Sequence, residues 1–153
     1  MILKAIILTQ APIKDFEKEI LKHTKIFKIA LNQHAEELKP DVRMITDYIL
    51  ADICQNFPQK VISVRDKFRY ETSRVEYFNT EFKGATIVAA IEYLISKNYD
   101  EILIVGDNTV NSTYFQNYTK KEVDILKKKA KVYQYSKRNF TLPFLSIKEF
   151  CKD

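Results

Sequence analysis

The amino-acid sequence predicts an α/β fold, namely a single-domain, three-layer αβα sandwich with a mainly parallel sheet of five or six strands. Short apolar runs, which suit strands buried on both faces, alternate along the chain with segments whose apolar residues recur at helical spacing. Of the 153 residues, 46% are hydrophobic and 29% are charged, which suits a soluble domain with a substantial core. We therefore expect one domain over residues 1–153, with helices covering both faces of the sheet.

The predicted strands are short, apolar and mostly followed by polar residues. They are residues 5–8, 25–31, 42–45, 60–64, 101–105 and 131–135, with 74–78 as a further candidate edge strand. Residues 5–8 and 101–105 are apolar almost throughout, and this pattern is typical of strands that are covered on both faces. These two strands should therefore lie at the centre of the sheet.

The predicted helices lie between these strands. A first helix begins after Pro12 and reaches about His23, because a proline followed by acidic residues marks a helix start. The remaining helical segments carry apolar stripes or end near a proline, and they are residues 35–38, 48–57, 84–97, 112–130 and 146–151. Strands that alternate with helices in this way favour parallel pairing.

The net charge indicates which binding partners to expect, and the first residues of the chain indicate its location in the cell. The net charge is +5 and comes mostly from lysine. Nucleic-acid or membrane binding would explain such an excess, but arginine, the better phosphate ligand, is scarce. We therefore interpret the charge as a generally lysine-rich surface. No apolar run approaches the roughly 20 residues of a membrane span, and the first residues lack the order of a signal peptide, which predicts a cytoplasmic protein.

The cysteines, histidines and glycines exclude several kinds of site. Cys54 and Cys151 show no Cys-x-x-Cys spacing, and His23 and His34 fit no zinc-binding pattern, so no zinc site is predicted. The chain has only two glycines. Their number and spacing exclude the Gly-x-Gly-x-x-Gly dinucleotide motif, the P-loop and the Gly-x-Ser-x-Gly nucleophile turn.

Both glycines point to one edge of the predicted sheet. Gly84 opens the helix at 84–97, and Gly106 ends the strand at 101–105. In open parallel sheets, ligands bind at the carboxyl ends of the strands, near a reversal in strand order. Short polar residues also follow the other strands and should converge at this edge. The residues predicted to bind a nucleotide are Thr9, Gln10, Asn32, Gln33, Gly84, Thr86, Gly106, Asp107 and Asn108.

These polar groups suit a base, a ribose or a sugar, which offer many hydrogen-bonding atoms and little charge. Asn32 would bind the base or ribose, Thr86 a phosphate or carboxylate at a helix start, and Asp107 a sugar hydroxyl or a divalent metal ion. His34 and Asp47 are the candidate catalytic acids or bases at the same edge. The alternative is that each of these residues forms a turn or caps a helix.

The order of the predicted strands, helices and polar loops resembles that in a known group of proteins. Residues 5–8 run into Thr9-Gln10-Ala11-Pro12, and the second strand ends in Asn32-Gln33; later, Gly84-Ala85-Thr86 leads a helix and a strand ends in Gly106-Asp107. This arrangement resembles the Rossmann-like core shared by bacterial CMP-sialic-acid-dependent sialyltransferases, motility accessory factors and archaeal-type 6-hydroxymethylpterin diphosphokinases.

The resemblance implies a nucleotide or nucleotide-sugar ligand and a place in surface glycan biosynthesis. The chain would be either a glycosyltransferase-like enzyme or a non-catalytic relative. One alternative is a pterin diphosphokinase-like enzyme. Another is a non-enzymatic, basic nucleic-acid-binding module, based on the charges at 127–131 and at Lys137-Arg138. A divalent metal ion as cofactor and assembly into a homo-oligomer remain open.

Overall fold

The computed structural model of the chain describes residues 1–9, 13–45, 56–64, 75–81, 86–106, 113–135 and 142–152, with the backbone alone for 113–118. These residues form one sheet of seven strands, in which every pair of neighbours is parallel. The strands are β1 (Lys4–Leu8), β2 (Phe27–Leu31), β3 (Val42–Ile45), β4 (Lys60–Ser63), β5 (Val75–Tyr77), β6 (Glu101–Val105) and β7 (Lys131–Gln134). The α/β prediction is confirmed, with one strand more than the five or six expected.

The spatial order of the strands is β5-β4-β3-β2-β1-β6-β7. The chain therefore moves outward from β1 to β5 and then returns to the other side of β1 to form β6. As predicted, neither β1 nor β6 is an edge strand, although the middle strand of the seven is β2 and β6 lies next to the edge strand β7. The backbone register pairs Leu8 with Val105. The seventh strand is β5, a three-residue edge strand within the segment that the sequence marked as a candidate.

The helices agree with the predicted segments and differ from them at the ends. They are α1 (Asp15–His23), a 3₁₀ turn (Glu36–Leu38), α2 (Thr86–Ser96), α3 (Thr113–Leu126) and α4 (Ile147–Phe150). The predicted helix at 48–57 lies almost wholly outside the described residues. Strand β2 starts two residues later than predicted, because Thr24 Oγ1 accepts a hydrogen bond from the Ile26 amide at 3.2 Å and forms a turn there.

The helices cover both faces of the sheet, which confirms the three-layer αβα sandwich. On one face Ile6 and Leu8 pack with Leu21 of α1 and with Ile147 and Phe150 of α4. On the opposite face the alternate strand residues pack against helices α2 and α3. Successive side chains of a strand point to opposite faces of the sheet, and helices cover both faces. Each strand is therefore a continuous run of apolar residues in the sequence. Within the described part of the chain, no helix is both long and apolar enough to cross a membrane.

Candidate functional site at the carboxyl edge of the sheet

The strand order reverses between β1 and β6, and this reversal defines the candidate site. At the carboxyl end of β1, the Thr9 amide and hydroxyl both donate to the Val105 carbonyl, at 2.9 and 3.0 Å. The two donations extend the pairing of β1 and β6 by one residue. Thr9 is almost fully buried, at 8% exposure. The threonine that the sequence placed in the ligand site therefore also joins the two strands that flank the crevice.

Gly106 ends β6 on the other side of the crevice. Its backbone φ is 117°, a region that residues with a Cβ atom avoid. The glycine is buried where the chain leaves the sheet. The backbone turn therefore requires glycine at this position. Its placement at the strand-order reversal agrees with the prediction from the sequence that the second glycine marks the site edge.

The segment after β2 carries three of the predicted site residues, Asn32, Gln33 and His34. The Asn32 amide donates to the Met44 carbonyl of β3 at 2.8 Å, and the His34 amide donates to the Leu31 carbonyl at 3.2 Å. Asn32 adopts a left-handed backbone conformation with φ of 54°. Asparagine tolerates this conformation better than most residues, so the local sequence fits the turn. Gln33 is exposed, and Asn32 and His34 are half-buried.

A fully buried arginine holds this segment in place. Arg43 lies on β3 and is 0% exposed. One guanidinium nitrogen, Nη1, donates to the carbonyls of Asn32 at 2.7 Å and His34 at 2.6 Å. The other, Nη2, pairs with Glu36 Oε2 at 2.6 Å. Arg43 thus connects strand β3 to the backbone of the segment and to the 3₁₀ turn that follows it.

The pair of Arg43 and Glu36 has two further neighbours, Phe57 and Gln59. The guanidinium stacks over the Phe57 ring, 4.2 Å from the ring centre, and Gln59 Nε2 donates to the other oxygen of Glu36 at 2.9 Å. A buried charge is costly unless it is paired and hydrogen-bonded, and these contacts pair the guanidinium and bond both of its terminal nitrogens, while Nε has no hydrogen-bond partner. The sequence analysis did not single out Arg43. The signal was present, because the arginine interrupts an otherwise apolar strand.

His34 is the one described candidate for general acid–base chemistry. Burial, and then the positive charge of Arg43, lower the pKa of its imidazole below the usual value. At neutral pH the ring is therefore neutral and can accept a proton. This state suits the predicted role of a base. Asp47, the second predicted catalytic residue, lies outside the described residues.

Helix α2 begins at the same edge, because it runs antiparallel to the strands that precede and follow it. Thr86 is its first residue and is 8% exposed. The first turn of α2 carries no acidic side chain, whereas the first turn of α1 carries Asp15 and Glu17. The partial positive charge at the start of α2 is therefore not offset by a carboxylate of its own first turn. An anionic group of a ligand would be favoured there.

A buried carboxylate and a tyrosine form another contact of this edge that the sequence analysis missed. Glu17 in α1 is 4% exposed and accepts a hydrogen bond from the Lys14 amide at 3.0 Å. Burial, followed by a hydrogen bond to Glu17, raises the pKa of the Tyr135 hydroxyl to about 12. Tyr135 directly follows β7. The pair therefore connects the start of α1 to the end of the strand next to β6.

The structure thus brings together those predicted residues that it describes. Thr9, Asn32 and Gly106 follow three neighbouring strands, β1, β2 and β6, and neighbouring strands lie roughly 4.8 Å apart. Gln33 and His34 continue from Asn32 at this edge. Five predicted residues lie outside the described part of the chain: Gln10, Asp47, Gly84, Asp107 and Asn108. In the described segments, no group of three or more histidine, cysteine, aspartate or glutamate residues is suitably placed for a metal ion.

A cleft of about 730 Å³ opens at the opposite, amino edge of the sheet. Lys4 lines it, but its ammonium donates to the carbonyls of Phe150 at 3.0 Å and Lys152 at 3.5 Å. Cys151 also lines the cleft, and burial raises the pKa of its thiol, so the reactive thiolate is disfavoured. The polar groups of this cleft therefore serve helix ends, and the cleft does not replace the carboxyl edge as the candidate site.

No known protein-family model matches the chain, and no curated protein is significantly similar to it.

Proposed function

We propose that the chain binds a nucleotide or a nucleotide-sugar at the carboxyl edge of its sheet, in the crevice between β1 and β6. One observation carries the proposal: the strand order reverses between these two strands, where Thr9 and Gly106 stand. Ligands of open α/β sheets bind at such reversals, because the connections from the two strands leave on opposite faces and separate there.

The chemistry of the described groups supports this ligand class. Asn32 and Gln33 supply amides, and His34 supplies an imidazole that is neutral at neutral pH. Such groups bond the edges of a base or the hydroxyls of a ribose. The start of α2 at Thr86 suits a phosphate, since it lacks acidic side chains in its first turn. In this arrangement the amides bind the nucleoside, and α2 binds the phosphate.

We propose further that the protein acts in surface glycan biosynthesis, as a relative of the sialyltransferase-like proteins whose order of motifs it resembles. In a glycosyltransferase-like reaction His34 is the described residue able to take the proton from the acceptor hydroxyl. A non-catalytic relative would bind the same ligand without turnover. A pterin diphosphokinase-like enzyme is the alternative, and it would bind a pterin at this edge.

A thermal-shift screen tests the ligand. The full chain is heated with CMP, UDP, GDP, ATP, their sugar conjugates and 6-hydroxymethylpterin, each at millimolar concentration. At a concentration one hundred times the dissociation constant, a ligand stabilises the folded state by about 2.7 kcal/mol, which gives a clear rise in Tm. A response to the pterin alone would favour the diphosphokinase-like alternative. If no compound shifts Tm, the proposed function is wrong.

A matched pair of threonine variants locates the ligand. Thr9→Val removes a hydroxyl at the reversal, and Thr24→Val removes one at the opposite edge, where it accepts from the Ile26 amide. We expect the first variant to weaken nucleotide binding and the second to leave it unchanged. Equal effects of the two variants would contradict the assigned location. Binding of oligonucleotides with a steep dependence on salt would instead support a nucleic-acid-binding module.

A further inference from the structure

Arg43 contacts the candidate site through backbone carbonyl groups. Its two bonds to the segment after β2 go to backbone carbonyls, those of Asn32 and His34. The bonds therefore fix the course of the backbone and do not engage the side chains of these residues. The same segment carries two left-handed residues within four positions, Asn32 and Ala35. For Ala35 this conformation is sterically unfavourable, so the surrounding contacts must hold it.

A second buried cation of the described strands, Lys28, also binds backbone carbonyls, but these carbonyls end helices and belong to no predicted site residue. Lys28 on β2 is 3% exposed and donates to the carbonyls of Leu21 and Leu38, at 2.6 and 3.0 Å. Those carbonyls end α1 and the 3₁₀ turn, where acceptors are in any case left without helical partners. Arg43 instead contacts the turn after β2, and that turn carries two predicted nucleotide-binding residues, Asn32 and Gln33, and the predicted catalytic residue His34.

We propose that Arg43 is a positioning residue of the carboxyl-edge site, which holds the backbone of residues 32–34 so that Asn32, Gln33 and His34 meet the ligand in a preformed arrangement. This inference rests on the proposed nucleotide function. The planar guanidinium is suited to the task, because it donates in fixed directions to several acceptors at once. A lysine would keep the charge but would not reproduce that geometry.

The first part of the test needs no ligand. Amide hydrogen exchange is measured by NMR on the full chain and on the variants Arg43→Lys and Glu36→Gln, with the second variant available if the first is poorly folded. We expect the Asn32 and His34 amides to exchange about tenfold faster or more in Arg43→Lys, beyond any change at the centre of β1 and β6. A uniform change along the chain would mean that Arg43 only stabilises the fold, and would overturn the inference.

Lys28→Met is the matched control, since it removes the other buried cation of the sheet. It should accelerate exchange near the ends of α1 and of the 3₁₀ turn while leaving the Asn32 amide unchanged. A second readout is the NMR titration of the His34 imidazole. Arg43→Met should raise its pKa, because the neighbouring charge is lost and the segment becomes more exposed to water. An unchanged His34 pKa would also count against the inference.

The second part uses CMP, UDP, GDP and ATP as probes. For whichever of them binds the wild-type chain, we expect the dissociation constant to rise about tenfold in Arg43→Lys and to stay within about twofold in Lys28→Met. Equal affinity of wild type and Arg43→Lys would overturn the positioning role. If none of the four binds the wild type, the proposed function fails, and the exchange data alone decide whether Arg43 organises the segment.

Discussion

Two buried cations of the described strands, Lys28 on β2 and Arg43 on β3, have different kinds of partners. Lys28, towards the amino edge, donates to helix-end carbonyls, and its amide is bound by Asp41. Arg43, towards the carboxyl edge, pairs with a carboxylate and holds a turn that contains left-handed residues. The Leu38 carbonyl that Lys28 binds also precedes a left-handed residue, Lys39, so the two cations differ in that only the turn held by Arg43 carries predicted site residues. Arg43 stabilises a locally unfavourable backbone, which is the kind of feature that clusters at ligand sites.

Lys28 and Arg43 also differ in what compensates their charge. Burial lowers the pKa of Lys28 below its usual value of 10.5, only partly opposed by Asp41 and Cys151. Arg43 instead has a carboxylate partner, and its Nη2 lies 2.6 Å from Glu36 Oε2. The carboxyl edge therefore contains an arginine paired with a carboxylate, whereas at the amino edge burial disfavours the charged form of Lys28.

The largest effect is expected for Glu36→Ala, which leaves the guanidinium of Arg43 buried without a counter-ion. Loss of one partner of a buried ion pair typically costs about 3 kcal/mol or more. Because the Glu36 side chain is 37% exposed, water can partly replace it, and we expect the free energy of unfolding, measured by urea denaturation, to fall by about 2 to 3 kcal/mol. The double variant Arg43→Met with Glu36→Ala should be more stable than Glu36→Ala alone. A double variant that is less stable than either single variant would contradict this account of the pair.

Lys28→Met should have the next largest effect. It removes two hydrogen bonds from an ammonium to helix-end carbonyls, and we expect a loss of about 2 kcal/mol in urea denaturation at neutral pH. The folded-state pKa of Lys28 lies below the unfolded value. As pH rises towards 10.5, the folded chain therefore loses this proton before the unfolded chain does. The stability of wild type relative to Lys28→Met should therefore increase over that range. A decrease would show that the folded state favours the charged amine.

Tyr135 at the carboxyl edge should show the opposite response to alkali. Its pKa is raised to about 12 in the folded protein, so the folded chain retains a proton that the unfolded chain loses above about pH 10. Its contribution to stability is present below pH 10 and is lost between about pH 10 and 12. We expect the free energy of unfolding of Tyr135→Phe to decrease less steeply between about pH 10 and 12 than that of wild type. Urea denaturation at a series of alkaline pH values measures the free energy of unfolding of both proteins. An equal decrease with pH in both would show that the raised pKa does not belong to Tyr135.

The smallest expected effect concerns His34. Burial and the charge of Arg43 lower its pKa, so the unfolded chain binds a proton more readily than the folded chain near pH 6.5 and below. Stability should therefore fall on acidification, and His34→Gln should remove part of that fall. The free energy of unfolding at pH 5 and at pH 7.5 measures the difference. The same measurement on His23→Gln, at an exposed histidine beside Glu19, provides the matched comparison.

Most of the fold could be predicted because it depends on local patterns. Strands β1 and β6 were identified from runs of apolar residues, and α1 from its acidic start and its apolar stripe ending near His23. Strand β5 was harder, because its three residues at the sheet edge are only half covered. At edges the burial pattern is weak, and short strands carry little signal.

The candidate site could be predicted in outline. Thr9, Asn32 and Gly106 were placed at one edge, since parallel strands present their carboxyl ends together. The roles of Arg43 and Glu17 were not predicted, because each depends on partners far away along the chain or on another element. Arg43 is buried only because Glu36 and Phe57 meet it in the folded protein.

By itself, the sequence determined the class of structure, an alternation of buried parallel strands and covering helices, because the spacing of apolar residues dictates which segments bury one stripe or two faces. It also determined that glycine stands at the end of β6. Only the tertiary structure decided that β6 lies beside β1 and so created the reversal in strand order. The physical reason is that strand order depends on contacts between distant segments, and the pair of Arg43 and Glu36 depends on contacts between separate elements of the fold, which no local pattern encodes.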